Sequence, residues 1–298
     1  MSTTKSNVLI TGSSNGFGYL TTLTLARKGY KVWASMRNVE GKNASKKQEL
    51  LNIASEENLD IEIVELDVTN DDSIKKAVDQ VIAKDGKIDT LVNNAGVMYV
   101  GISEAYSLEQ AQQQFEVNFF GVLRTTKAVL PHMRAVKNGL IINVSSLAGR
   151  LAFPYFGIYC ASKHALEAYS QSLSYELAPF GIEVSINEPG PFGTGLLYSG
   201  PKENDATVLT QYGDHQEVPM AMLKNFEGFF DSKEALNPQL VADDITKVIE
   251  TPKGSRPVRV VSGIDYGTVD YNEKVAPIQQ SLIKDSLQME HLLKVAQN

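Results

Sequence analysis

The chain has 298 residues, 43% of them hydrophobic, and a formal net charge of −7, enough for one sizeable core and an unfavourable balance for a protein whose main partner is nucleic acid. Its single cysteine, Cys160, excludes an intrachain disulfide, and its four histidines (His132, His164, His215, His291) lack metal-ligand spacing, so no metal is expected. The N-terminus MSTTKSNVLITGSS has no leader pattern and no run approaches bilayer length; a cytoplasmic chain without a membrane span is expected, in which the Asn43 and Asn143 sequons carry no meaning.

Asn7 to Thr11 reads as a strand, broken by Gly12-Ser13-Ser14-Asn15-Gly16-Phe17-Gly18 and followed by a helical pattern through Leu20, Leu23, Leu25 and Ala26. Glycines in that place let backbone pass close to a pyrophosphate, whose charge then meets the first amides of the helix. Gly12 to Gly16 also fits G-x-S-x-G, the nucleophile elbow of serine hydrolases. That elbow follows several strands rather than the first, and it leaves Gly18 unexplained. Lys31 to Met36 is a second strand, ending in Arg37. No acid stands there to receive ribose hydroxyls; an arginine fork suits a 2′-phosphate, so NADP(H) is expected ahead of NAD(H).

Gly41 to Asn58 reads as a solvated helix, Ile61 to Leu66 as a strand ending at Asp67-Val68, Ser73 to Lys84 as a helix, and Ile88 to Val92 as a strand entering Asn93-Asn94-Ala95-Gly96. Strands alternating with helices imply parallel βαβ units in a doubly wound sheet, with Gly12, Arg37, Asp67 and Asn93 converging on one edge. A helical run from Leu108 to Met133 contains Asn118, and Gly139 to Val144 is a strand ending in Ser145-Ser146.

Gly157 to Gly181 repeats apolar residues at helical spacing (Ala161, Ala165, Leu166, Tyr169, Leu173, Leu177), which puts Tyr159 and Lys163 on one face, four apart. An ammonium beside a phenol suits proton transfer near neutral pH. The same spacing also suits an amphipathic helix with an incidental tyrosine and a solvated lysine, and this helix alone does not choose. Tyr198 and Lys202 repeat the spacing across Gly200 and Pro201, where no helix holds them. Glu183 to Asn187 is a sixth strand; residues 196–234 look irregular, rich in aromatic and Met side chains; a helix over Pro238–Glu250 and a strand over Pro257–Val261 close a sheet of about seven strands. The tail from Asp270 has a helical pattern without an evident partner.

These pieces in this order, T-G-x-x-x-G-x-G from Thr11, Asp67-Val68, N-N-A-G from Asn93, Asn118 with Gly121, N-V-S-S from Asn143, Y-x-x-x-K from Tyr159 and P-G-x-x-x-T from Pro189, resemble the short-chain dehydrogenase/reductase family over nearly the whole chain. Met36-Arg37-Asn38 and the segments from Tyr159 and Ala235 resemble its 17β-hydroxysteroid and retinol dehydrogenase branch. The resemblance implies one Rossmann-type domain over 1–298, with a substrate lid near 191–237 and a C-terminal extension near 266–298. It makes Tyr159 the general acid/base, Lys163 its pKa-lowering partner and ribose contact, Ser146, thirteen residues before Tyr159, the holder of the substrate oxygen, and Asn118 the anchor of a relay water.

Gly12 to Gly18, Arg37, Val68, Ala95, Pro189 and Gly190 would then bind cofactor, with Asp67 at the adenine, Asn93 and Gly96 beside the adenosine ribose and Thr194 at the carboxamide. Met98, Tyr155 and Phe192 would line an apolar substrate pocket. Phe17 replaces a commoner Ile, and the glycine turn lacks the basic residue of many NADP-using members, which leaves Arg37 to discriminate. The implied activity interconverts a ketone or aldehyde and an alcohol, in a homodimer or homotetramer. A catalytically idle NADP(H)-binding sensor or scaffold is the alternative, opposed by the presence of all four catalytic residue types. Epimerase or dehydratase chemistry normally brings a G-x-x-G-x-x-G turn and a longer C-terminal domain, neither of which is here.

Overall fold

The computed structural model describes residues 6–297. Its elements in chain order are β1 (Asn7–Ile10), α1 (Gly16–Arg27), β2 (Lys31–Met36), α2 (Ala44–Glu57), β3 (Ile61–Glu65), α3 (Asp71–Asp85), β4 (Thr90–Asn93), α4 (Leu108–Phe115), α5 (Gly121–Ala135), β5 (Gly139–Val144), α6 (Gly157–Leu177), β6 (Ile182–Pro189), α7 (Ala206–Gln211), α8 (Val218–Phe230), α9 (Gln239–Glu250), β7 (Arg259–Ser262) and α10 (Thr268–Ser281). The seven strands form one sheet in the order β3-β2-β1-β4-β5-β6-β7, every neighbouring pair parallel. The order reverses between β1 and β4, which opens a crevice at the carboxyl ends of those strands.

Both faces are covered, as parallel strands require, and β1, β4, β5 and β6 are buried along their whole length. One core packs Leu23, Leu25, Leu50, Val241 and Ile245 of α1, α2 and α9 on one face; Ile74, Val81, Val129, Met133 and Leu173 of α3, α5 and α6 fill the other. The expected solvated helix is largely so, yet α2 buries Leu50 and Ala54.

Two expectations are corrected. The segment expected to be irregular holds α7 and α8, because Pro219 opens a run in which Met222, Leu223, Phe226 and Phe230 share one helical face; Met222 and Phe226 pack against Phe156 and Tyr159. The tail does have partners. Asn272 of α10 bonds to Arg150 and Glu188, and the Ala296 amide donates to the Ala178 carbonyl at 2.9 Å.

Candidate active site

A cavity of about 530 Å³ runs along the carboxyl edge of the sheet. At its centre the β1–α1 turn needs its glycines. Gly12 has φ +71°, and a Cβ on Gly18 would stand 2.4 Å from the Gly12 carbonyl oxygen. Asn15 precedes α1 without capping it through its side chain, so the first amides of a 12-residue helix carry no side-chain partner at the cavity wall. That is an anion seat. Gly12, Ser14, Asn15, Gly16 and Phe17 line the cavity, whereas Ser13 is fully buried with its hydroxyl on the Ile10 carbonyl, and Gly18 packs behind the turn.

Beyond the turn, the cavity ends at Arg37, Lys42, Asn43, Asp67 and Val68. Lys42 was not anticipated. It sits in the loop that returns to α2, and the Asn43 side chain holds that loop by donating to the Arg37 carbonyl at 2.6 Å. Neither Arg37 nor Lys42 has a carboxylate within ion-pair distance among the described residues. Their position beside each other depends on loop closure, for which the sequence offers no periodic signal.

Asn93 is a correction. β4 runs one residue further than expected, and Asn93 pairs with Asn143 in the β4/β5 register. Strand alternation therefore turns its side chain inward, where it donates to Asn143 Oδ1 (2.9 Å) and Thr126 Oγ1 (3.2 Å) and accepts from Thr125 (2.6 Å). Asn94 takes the cavity side instead: its amide donates to the carbonyls of Thr11 and Gly12 at 2.9 and 3.0 Å, pinning the glycine turn. Ala95 and Gly96 line the wall beside it.

At the other end stand Ser146, Tyr159, Lys163, Pro189, Gly190 and Thr194. Helix α6 is anchored by Ser170, whose hydroxyl accepts from Asn143 Nδ2 at 2.8 Å, so the face carrying Tyr159 and Lys163 is fixed against the end of β5. Lys163 Nζ donates to the Val144 carbonyl at 2.8 Å and lies 5.9 Å from the Tyr159 ring centre. Asn118 falls in a five-residue π-helical turn between α4 and α5. Such a bulge re-aims a helix, and here the Asn118 side chain clasps Val97 at both its N–H and its carbonyl (2.9 Å each) and donates to Ser162 Oγ (3.1 Å). It lies behind the wall, not in it: a Cβ on Gly96 would be 3.4 Å from Asn118 Oδ1 and 4.0 Å from Lys163 Nζ.

Burial governs the two titrating groups. It pushes the Tyr159 hydroxyl up to about 12, with a hydrogen bond from Ser146 acting the other way, and pulls Lys163 down to about 8, which the charge of Glu167 opposes. Both groups are about 95% hidden from water, and desolvation is the largest influence on each. Near neutral pH the tyrosine holds its proton and the lysine its charge. Cys160 and His164 take no part: Cys160 packs with Phe156, and the His164 ring bonds the Cys160 carbonyl.

The cavity wall next to Tyr159 is apolar. Met98, Phe153, Phe156, Phe192, Phe226 and Phe230 line it, with Tyr198 and Tyr266 at its rim. Met98 and Phe192, expected at a substrate pocket, line the cavity. Tyr155 is not: it adopts φ +65°, which turns it off the wall and leaves its neighbours Phe153 and Phe156 facing the cavity.

Fold and site together define a dinucleotide-binding α/β protein with a tyrosine, lysine and serine at one end of the cofactor groove. The family described as "short chain dehydrogenase" matches residues 6–204. The chain is 35% identical over 242 residues to 3-ketodihydrosphingosine reductase of Bacteroides thetaiotaomicron (81% of this chain, 82% of that one). It is 39% identical over 192 residues to human retinol dehydrogenase 8 (63% and 59%). Among solved structures, a point variant of actinorhodin polyketide ketoreductase with NADPH superimposes with a TM-score of 0.71 at 27% identity, over 88% of this chain and 97% of that one. This chain therefore belongs to the short-chain dehydrogenase/reductase family, oxidoreductases that act on CH–OH groups with a nicotinamide cofactor. Among the described residues, no helix is long and apolar enough to cross a membrane.

Proposed function

We propose that the protein is an NADP(H)-dependent oxidoreductase that interconverts a ketone or aldehyde and an alcohol on a largely apolar substrate, with Tyr159 as general acid/base. The observation that carries this reading is a single cavity joining an uncapped helix N-terminus, two unpaired cations at one end, and a buried tyrosine facing an aromatic wall at the other. The residues present fit the cofactor. The α1 amides would receive its pyrophosphate, Arg37 and Lys42 a 2′-phosphate, Lys163 the nicotinamide ribose, and Pro189, Gly190 and Thr194 the carboxamide. When bound, the cofactor supplies or accepts the hydride.

The chain's own residues handle the oxygen. Ser146 holds the carbonyl oxygen, and the protonated Tyr159 hydroxyl gives it a proton as negative charge develops there. The Lys163 ammonium steadies the phenolate left behind until solvent returns the proton. With Tyr159 protonated and Lys163 charged at neutral pH, the tyrosine has a proton to give in the reductive direction. Asn118 fixes the Gly96–Val97 wall beside Lys163. The phenylalanines favour a hydrocarbon body, in keeping with relatives named for 3-ketodihydrosphingosine and retinol.

The test is a panel of ketones and aldehydes of rising chain length, with NADPH and NADH side by side, on the native chain and on Tyr159→Phe. Turnover that prefers NADPH, rises with apolar length and collapses in Tyr159→Phe while NADPH still binds is expected. Cofactor binding without turnover on any carbonyl would instead mark an idle binder.

A further inference from the structure

Behind the catalytic face, two carboxylates are sealed from water. Glu167 is one turn beyond Lys163 on α6 and 2% exposed; Glu188, next to last in β6, is not exposed at all. Arg259 Nε of β7 lies 3.0 Å from Glu167 Oε2 and 3.2 Å from Glu188 Oε1, and its other arm donates to Gln171 at 2.5 Å. From the tail, Asn272 Nδ2 donates to Glu188 Oε2 at 2.6 Å. Its carbonyl oxygen accepts from Arg150 Nε at 2.8 Å, and Arg150 in turn stacks 4.7 Å above Tyr271 and stays 4.0 Å from Glu188. One oxygen of each glutamate, Glu167 Oε1 and Glu188 Oε1, has no hydrogen bond.

Every part of the active end is tied to this cluster. α6 carries Tyr159 and Lys163, and β6 leads straight into Pro189 and Gly190. The turn after Ser146 is in contact with it, since a Cβ on Gly149 would meet Ser145 Oγ at 2.7 Å, Glu167 Cγ at 2.8 Å and the Lys163 carbonyl at 3.1 Å. As a fastening, the cluster is a poor choice. Buried ion pairs seldom outdo apolar packing of the same volume, and two carboxylates here share one close guanidinium. Their charge has a use only if something nearby needs it, and the buried ammonium of Lys163 does.

We propose that Glu167, held by Arg259 beside Glu188, which Asn272 and Arg150 cover, is a positioning residue that supplies the counter-charge for the Lys163 ammonium. This deepens the function proposed above, and rests on it for the role of Lys163. The charged groups that face the pair are Arg259 on β7 and Arg150 after Ser146, with Lys163 one turn before Glu167 on α6. Burial and the neighbouring Glu167 push Glu188 up to about 8, which favours its protonated form at neutral pH. The C-terminal extension, through Asn272, thereby becomes part of the catalytic unit.

The two glutamates separate charge from scaffolding. The Lys163 ε-carbon signal of ¹³C-lysine-labelled protein, assigned by its loss in Lys163→Arg, is titrated in the full chain without cofactor. Glu167→Gln is expected to move its midpoint to lower pH by about one unit, as loss of a nearby opposite charge requires. Glu188→Gln, which imitates the protonated acid, leaves the midpoint in place. A midpoint unmoved in Glu167→Gln, or moved equally in both variants, overturns the proposal. If Glu167→Gln does not fold, Glu167→Ser, which removes the charge without an amide to seat beside Arg259, is read the same way. With any carbonyl that proves to be a substrate, the alkaline limb of the pH–rate profile moves with the midpoint. Absence of any substrate sinks the proposed function and leaves the titration to decide the role of Glu167.

Discussion

Replacing Lys163 by methionine should make the protein more stable at pH 7 and catalytically dead. Burial lowers the Lys163 pKa from 10.5 to about 8. At 1.36 kcal/mol for each tenfold change, the charged side chain costs the folded state about 3 kcal/mol. Methionine of similar length removes that cost. It also strips the Val144 carbonyl of its donor, a loss of about 1–2 kcal/mol for a buried acceptor. The net expectation is a gain of about 1–2 kcal/mol at pH 7, read from urea unfolding.

The pH dependence isolates the cause. Between about pH 8 and 10.5 the unfolded chain keeps a proton on Lys163 that the folded protein has released. Wild-type stability from this group therefore rises with pH across that window, is complete above 10.5 and is lost as pH falls through 8. The advantage of Lys163→Met should shrink above pH 8, vanish near the middle of the window and reverse toward its top, where only the lost donor to the Val144 carbonyl remains. A variant less stable than wild type at pH 7, or an advantage that does not change with pH, would refute the reasoning.

Three further outcomes are expected. Arg37→Ala and Lys42→Ala should each weaken NADPH binding about 10- to 100-fold, the worth of a charge-assisted hydrogen bond, and leave NADH within a few-fold, as fluorescence titration would show. Equal losses for both cofactors would remove the 2′-phosphate from that end of the groove. Gly18→Ala places a methyl group 2.4 Å from the Gly12 carbonyl oxygen and Asn94 Nδ2, so the turn must open; cofactor affinity should fall at least tenfold, with a lower melting temperature. Asn94→Ala frees the Thr11 and Gly12 carbonyls and should cost about 1–3 kcal/mol of stability together with cofactor affinity. Asn94→Asp, which cannot donate, should do no better in the same melting and binding measurements.

The sequence by itself determined the alternation of strands and helices, because buried parallel strands must be apolar runs and the helices between them must be amphipathic. Local chemistry also placed the glycine turn, and the spacing of four within one helix put Tyr159 and Lys163 on one face. What only tertiary structure decided lies where direction or environment matters. A strand that ends one residue later exchanges Asn93 for Asn94 at the cavity wall, since side chains alternate with period two. A left-handed residue at Tyr155 leaves the apolar cavity wall to Phe153 and Phe156. Lys42 joins Arg37 only through a closed loop. Glu167 and Glu188 read as ordinary surface acids until β7 and the tail cover them. The protonation of Tyr159 and Lys163 follows from desolvation, a property of everything packed around them and of no spacing within the chain.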